Sequence, residues 1–234
     1  MSALTTRLLV LGAVRLFGPA NGYQLRRELL SWEVERWANL NPGSIYSMLA
    51  TLEKQGAIER HDLDLGEARP VAVYTVSAAG AAEFEGLVFD SIANAPDSGD
   101  VLPLRVAMSF APIMTRAQFL DAVAARVRAL WTGVADFDAK LDSLSDPLVV
   151  PPHVVSELRL EVALLRAQLD WLLALQGEVR EGGLDFRGDP DAPGEPGEPG
   201  RAASWQPPPD DPGWRMAQER ERYQAEIDRM RRGA

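Results

Sequence analysis

Apolar residues recur at helical spacing across residues 4–17, with Leu8 and Leu11 on one side and Val10, Val14 and Phe17 on another. Most of that circumference is apolar, so a buried first helix is expected. Gly18-Pro19-Ala20-Asn21 interrupts it. Asn21, with Gln24 three positions on, has the form of a capping box and opens a second helix over 22–30. There Tyr23, Leu25 and Leu29 face inward and Arg26 and Arg27 outward. Residues 31–40 carry no clear period and read as irregular. A third helix then has signals at both ends: Asn41 as cap, Pro42 at the first helical position, Lys54 near the carbonyl end and Gly56 beyond it. Ile45, Met48, Leu49 and Leu52 make its packing stripe. The opposite face holds Gly43, Ser47, Ala50, Thr51 and Lys54, with Ser44 and Tyr46 at its margins. It is small, polar and poor in carboxylates, and it offers hydroxyl, amine and phenol donors to a phosphate-lined groove.

After Gly56 the period changes to two. Residues 57–61 read as a strand, 62–70 as a turn, and Val71 to Val76 as a returning strand rich in β-branched residues. Three helices followed by a hairpin is the order of a winged helix-turn-helix, in which the third helix enters the major groove and the wing lies on the backbone or in the minor groove. Ser77 can cap a fourth helix, with Phe84, Leu87, Val88 and Ile92 on its apolar side, and residues 94–100 read as a hinge.

Beyond the hinge, Thr115 and Gln118 form a second capping-box pattern. The helix it opens places Phe119, Val123, Val127, Leu130, Val134, Phe137, Leu141 and Leu144 at alternating steps of three and four. Pro147 stops it. A further helix from Pro151-Pro152 has the same seam at Val155, Leu158, Val162, Leu165, Leu169 and Leu172. Leu160, Leu164, Trp171 and Leu175 lie off that seam, and a helix apolar on a second side calls for a second neighbour. Another subunit is the expected one. From Gly182 to Gly213 the sequence reduces to Gly, Pro, Asp and Glu and reads as a disordered linker. Met216, Tyr223, Ile227 and Met230 then trace a thin apolar stripe through a charged tail that could form a short helix.

The expected fold class is therefore mainly α with a small β-hairpin wing: a winged helix-turn-helix over 1–95, a long-helix dimerisation domain with coiled-coil seams over 96–181, a linker over 182–213 and a tail over 214–234.

Composition narrows the chemistry. At 234 residues and 46% hydrophobic content the chain can bury a core, and no apolar run approaches the roughly 20 residues that span a bilayer. No membrane association and a cytoplasmic location are expected. Without cysteine there is no thiolate metal site or nucleophile, and His61 and His153 are too far apart in sequence to suggest a metal centre, so neither metal nor cofactor is expected. Ser44 has no partner histidine and the glycine run at 194–200 precedes no strand-helix unit, so catalysis is not indicated. The formal charge of −10 argues against an overall positive protein. Residues 1–86 carry 8 Lys/Arg against 10 Asp/Glu, residues 182–213 carry 2 against 7, and residues 214–234 carry 6 against 4. The presumptive binding domain is thus close to neutral.

Four segments resemble the PadR family of transcriptional regulators: Gly22-Tyr23-Gln24-Leu25, Pro42-Gly43-Ser44-Ile45-Tyr46, Leu49 through Ile58, and Val73-Tyr74-Thr75-Val76-Ser77-Ala78-Ala79-Gly80. The resemblance covers about residues 5–90, and the long helices resemble the C-terminal domain of one PadR branch more loosely. It implies a homodimeric winged-helix protein that binds double-stranded DNA, usually as a repressor. It also makes Tyr23, Ser44, Tyr46, Ser47 and Thr51 candidate DNA contacts, with Lys54 near the backbone. Where the family's wing is rich in Arg and Lys, this one reads Gly66-Glu67-Ala68-Arg69-Pro70 and keeps Arg69 as its cation. Arg26, Arg27, Arg36 and Lys54 are the other candidates for phosphates. Two functions stay open: a repressor on an inverted-repeat operator, released by a small hydrophobic effector held near Trp131 or Trp171, and a winged-helix protein-protein interaction module with weak or lost DNA binding.

Overall fold

The computed structural model describes residues 3–66, 69–94, 100–144, 150–186, 188–189 and 212–233. They divide into two compact units, Met1–Leu87 with Gly194–Ala234, and Val88–Pro193.

The first unit opens with helix α1 (Ala3–Phe17), whose residues from Leu8 to Leu11, with Ala13 and Val14, are essentially inaccessible. This is the all-round apolar helix its pattern predicts. A two-residue strand β1 (Ala20–Asn21) follows where the sequence suggested only a break. Asn21 also begins helix α2 (Gly22–Ser31). Its side chain accepts from the Gln24 amide at 2.9 Å while the Gln24 side chain accepts from the Asn21 amide at 2.8 Å, closing the capping box. Within the stretch read as irregular lies one short helix, α3 (Val34–Trp37), which buries Val34 and is entered through Glu33 in a left-handed conformation, φ 56°.

Helix α4 (Pro42–Lys54) has the ends its sequence dictates. Asn41 Oδ1 accepts from the Ser44 amide at 2.9 Å, Pro42 occupies the first turn, and Gly56 adopts φ 74°, which an L side chain would resist. Ile45, Leu49 and Leu52 are buried at 0–1% exposure and fix which side faces out. The chain then forms strands β2 (Ile58–Leu63) and β3 (Val71–Val76). With β1 they make a three-stranded antiparallel sheet in the order β1-β3-β2, so the expected hairpin gains a short third strand. The register pairs Ile58 with Val76, Leu63 with Val71 and Asn21 with Val73.

Helix α5 (Ala78–Ala93) starts against this sheet. Ser77 Oγ accepts from the Gly80 amide at 3.0 Å and donates to the Gly56 carbonyl at 2.6 Å. Gly80 lies so close that a β-carbon there would stand 1.9 Å from the Ala57 carbonyl oxygen. Arg7 of α1 is bound to Glu83 of α5 through Nε, and through Nη2 at 2.7 Å. The tail forms helix α9 (Pro212–Gly233), which packs in this same unit against α2 and the sheet.

In the second unit, helix α6 (Leu102–Met108) and a 3-10 turn (Ala111–Ile113) occupy a stretch to which the sequence assigned no element. The two long helices follow, α7 (Arg116–Ser143) and α8 (Pro152–Arg180), and Thr115 with Gln118 forms the predicted capping box. They run antiparallel: Arg166 Nη2 meets Asp138 at 2.7 Å, Gly133 faces the Leu165 side chain, and Arg116 near the start of α7 donates to the Val179 carbonyl near the end of α8. Phe119, Val123, Val127, Leu130 and Val134 are buried opposite Leu158, Val162, Leu165, Leu169 and Leu172. The seam loosens toward Phe137, Leu141 and Leu144, which are half-buried. Leu175, assigned by spacing to the outer side of α8, is 7% exposed and belongs to the inner side.

Arg126 of α7 is 1% exposed. Its Nη1 donates to the Ile92 and Asn94 carbonyls at the end of α5, and its Nη2 donates to Gln168 Oε1 at 3.0 Å. Burial drives its pKa down from the usual arginine value, with Asp100 opposing the shift.

The first residues of the expected linker are packed. Phe186 is 4% exposed, its ring 5.2 Å from that of Phe119 and 5.3 Å from the Arg116 guanidinium, and the Gly188 amide donates to the Met114 carbonyl at 3.2 Å. An aromatic in a Gly/Pro/acidic stretch was enough to anchor it. The rest of that expected linker, residues 190–211, and the hinge residues 95–99 lie outside the described residues.

Candidate nucleic-acid interface

With its apolar stripe locked inward, α4 leaves Tyr46, Ser47, Ala50, Thr51 and Lys54 exposed. Tyr46 is 46% exposed and its ring lies against Gly22 at the start of α2, where a β-carbon would come within 3.0 Å. That close approach sets the two helices together. Tyr23, the residue after Gly22 on α2, is 62% exposed, which is high for an aromatic and the reverse of its expected inward packing. Beside them, Ala3 and Thr6 of α1 join Asn41, Gly43, Ser44, Ser47, Met48 and Thr51 in lining a shallow depression.

The hydroxyls differ from the expectation that they donate outward. Ser47 Oγ donates to the Gly43 carbonyl at 3.1 Å, Thr51 Oγ1 to the Ser47 carbonyl at 2.9 Å, and Ser44 Oγ to Asn41 Oδ1 at 3.1 Å. A serine or threonine inside a helix finds the carbonyl one turn back before any external acceptor, and this local competition is not visible in a face diagram.

The cations are unevenly available. Lys54 and Arg69 are exposed, and neither has a hydrogen bond or ion pair to another described side chain. Arg27 donates to Glu28 Oε1 at 2.7 Å through Nη2 and touches the Met216 sulfur at 3.7 Å, so it is covered by the tail helix. Arg26 is half-buried, with its Nε lacking a partner. Arg36 lies 3.5 Å from Glu33 and is largely exposed. On the hairpin, Arg60 is paired with Asp62 at 2.8 Å, and that carboxylate raises its pKa through the hydrogen bond and its charge. The described wing therefore has Arg69 against Asp64, and the sequence adds Glu67 beside it.

The outer face of the sheet carries Glu59, His61 and Leu63 on β2, and Val71, Val73 and Thr75 on β3. Tyr223 and Ile227 of α9 bury Leu63 and Val73 there, with Leu65 and Val71 at the margin. The Asn21 side chain donates to the Tyr223 hydroxyl at 3.3 Å, Gln24 donates to Glu219, and Arg222 Nη2 donates to the Leu65 carbonyl at 2.9 Å. Further on, Arg231 lies 3.4 Å from Glu59. Of the tail's four stripe residues Met216, Tyr223 and Ile227 are buried, while Met230 is 40% exposed. His61 Nε2 lies 2.8 Å from Thr75 Oγ1, and burial lowers its pKa, with Glu59 opposing and Arg231 adding to the shift.

In the second unit Trp131 of α7 and Trp171 of α8 are 55% and 45% exposed. Leu160, Leu164 and Leu173 are similarly open, so α8 keeps an apolar outer side. Among the described residues no cluster of histidine and carboxylates could hold a metal, and no described helix is long and apolar enough to cross a membrane.

Residues 10–86 match the model of the transcriptional regulator PadR-like family. No curated protein matches. Among solved structures, the chain aligns with Bacillus subtilis PadR crystallised in complex with operator DNA, at 18% identity, over 74% of this chain and 98% of that one, with a TM-score of 0.33. It also aligns with the PadR-like transcriptional regulator BC1756 from Bacillus cereus, at 19% identity, over 74% and 94% of the two chains, with a TM-score of 0.32. The matched segment runs from inside α1 through α2, α4 and the winged sheet into α5. Residues 10–86 are thus similar to the domain that defines the transcriptional regulator PadR-like family.

Proposed function

We propose that this protein is a sequence-specific transcriptional repressor that binds an inverted-repeat operator as a homodimer. The observation that carries the reading is the outer face of α4: Tyr46, Ser47, Ala50, Thr51 and Lys54 are all exposed, and the helix is fixed by its cap and by three buried aliphatics. A rigid helix whose exposed positions are small or polar, next to a winged sheet, is the element that enters a major groove. Tyr46, Ser47 and Thr51 meet base edges, while Ser44, Tyr23 and Lys54 flank them on the backbone. Arg69 holds a wing phosphate. Arg26 contributes once its guanidinium turns outward, and Arg27 less, being covered.

Pairing two such heads places the recognition helices about 34 Å apart, one turn of the duplex. The exposed line of Leu160, Leu164 and Trp171 on α8 supports a subunit interface, because three large apolar side chains on one side of one helix lose free energy to water unless covered. Trp131 and Trp171 are then candidates for holding a flat hydrophobic effector, whose binding would alter the spacing of the heads.

The test joins two measurements. Purified protein is titrated into labelled duplexes recovered from the genome with it, beside scrambled duplexes, and its mass in solution is measured. Wild-type protein is expected to be a dimer that prefers the recovered duplex at least tenfold, and Tyr46→Glu with Thr51→Asp is expected to abolish the preference. Equal affinity for both duplexes, or a monomer that binds as well, overturns the proposal. The alternative, a protein-interaction module, is favoured by the wing's carboxylates and predicts no duplex preference at all.

A further inference from the structure

The arginines missing from the wing are found on the tail. Helix α9 crosses the outer face of the sheet with Tyr223 and Ile227 beneath it, and this sets the azimuth of every other residue on the helix. Arg222 and Arg229 are seven positions apart, so they lie on one side of the helix, and Arg222 is bonded to the root of the wing. The first donates from Nη2 to the Leu65 carbonyl, and the second stands near enough to Asp64 for that carboxylate to help raise its pKa, after the larger contribution of Glu226. Glu226 engages Arg229 through Nε and Nη2, which holds the guanidinium in place and leaves its Nη1 donors for another acceptor. Arg222 likewise uses one nitrogen on Leu65. Both residues are exposed.

The hairpin's own cations are matched one for one by carboxylates. Arg60 is bound to Asp62 through Nε and Nη2, much as Arg229 is to Glu226, and Arg69 shares the described wing with Asp64, so the hairpin by itself has no net positive charge. A winged helix binds duplex DNA with its wing against the phosphates, and neutralised phosphates supply most of the affinity. Any cation bonded to the wing root is within one side chain of that contact.

We propose that α9 is a detached half of the wing: Arg222 and Arg229 contact the DNA phosphates flanking the wing and supply the positive edge that the hairpin lacks. This rests on the DNA-binding reading above, and the experiment separates the two. Wild-type protein, the Arg222→Gln/Arg229→Gln variant and the Arg222→Lys/Arg229→Lys variant are titrated into one recovered genomic duplex at several KCl concentrations. The full chain is used throughout, and hydrogen exchange confirms that α9 stays docked. Each lost phosphate contact lowers the slope of log affinity against log salt by about 0.9, so the glutamine variant should lose about 1.8 per head. The lysine variant should keep the slope, and duplex preference should be unchanged in both. A glutamine variant that binds with the wild-type slope overturns this inference and leaves the DNA-binding reading standing. Wild-type protein that binds no duplex overturns both.

Discussion

Replacing Ile227 by alanine tests whether α9 belongs to the winged-helix unit in solution. Ile227 is 1% exposed and packs with Tyr223 on Leu63 and Val73. The substitution removes three buried carbons, each worth about 0.8 kcal/mol in transfer free energy, or about 2.4 kcal/mol before any cavity contribution. Isoleucine-to-alanine changes in cores span about 2–5 kcal/mol, and about 3 kcal/mol is a fair value for a side chain at the edge of a thin layer. At about 1.4 kcal/mol per decade this weakens docking by about a hundredfold. Hydrogen exchange followed by peptide mass spectrometry reads the result directly: amides of residues 216–232 should lose up to that factor of protection, and peptides containing Leu63 and Val73 should lose part of theirs. Met230→Ala is the control. It lies on the same helix but is 40% exposed, and should change protection by less than about threefold. If Ile227→Ala and Met230→Ala leave the same protection across α9, the helix is not held by this contact and the reasoning fails.

Two further outcomes follow from the geometry. Gly80→Ala forces a methyl to within 1.9 Å of the Ala57 carbonyl oxygen, and since both partners are backbone nothing flexible can give way. A loss of about 3 kcal/mol is expected, readable in a urea titration, and a midpoint unchanged from wild type would contradict the packing described. For His61 the folded state binds a proton less readily than the unfolded chain, because burial lowers its pKa from 6.5. Its contribution to stability is therefore complete above 6.5 and is lost as the pH falls through that value toward the lower folded one. The urea midpoint should drop between pH 7.5 and 5.5, and His61→Gln should remove that part of the slope; an identical slope in the variant would rule it out.

The elements with strong end signals were readable in the sequence. Asn21 with Gln24, Thr115 with Gln118, and Asn41 with Pro42 each encode a helix start within four residues, so local hydrogen bonding alone fixes it. Strands β2 and β3 were readable because alternation over six residues has no helical equivalent. Elements that depend on distant partners were not: β1 is two residues long and exists only because β3 lies beside it, and α3 is a single turn tied down by Val34. The seams of α7 and α8 were legible, yet Leu175 was placed outside because drift of the 3.6 period over a 29-residue helix carries the seam around the axis. In the candidate site, exposure of Tyr46 and Thr51 followed from the buried stripe, whereas Tyr23, expected to pack inward beside Leu25 and Leu29, is 62% exposed because it sits at the first turn of α2, ahead of the buried part of that helix. The cover over Arg27 did not, since Met216 is 189 positions away in the chain.

The inward bonds of Ser47 and Thr51 bear on what α4 can discriminate. With their protons committed to the carbonyls of their own helix, these hydroxyls have only lone pairs left to offer an approaching group, and Thr51 carries a methyl beside its hydroxyl. Lone pairs pair with exocyclic amino groups, which adenine and cytosine display in the major groove, and a methyl nestles against the 5-methyl of thymine. Guanine, which shows two acceptors there, would meet only like partners from these two positions. A half-site shaped by this helix should therefore lean toward A, C and T beneath its second and third turns, with any guanine falling to Lys54 or the tyrosines.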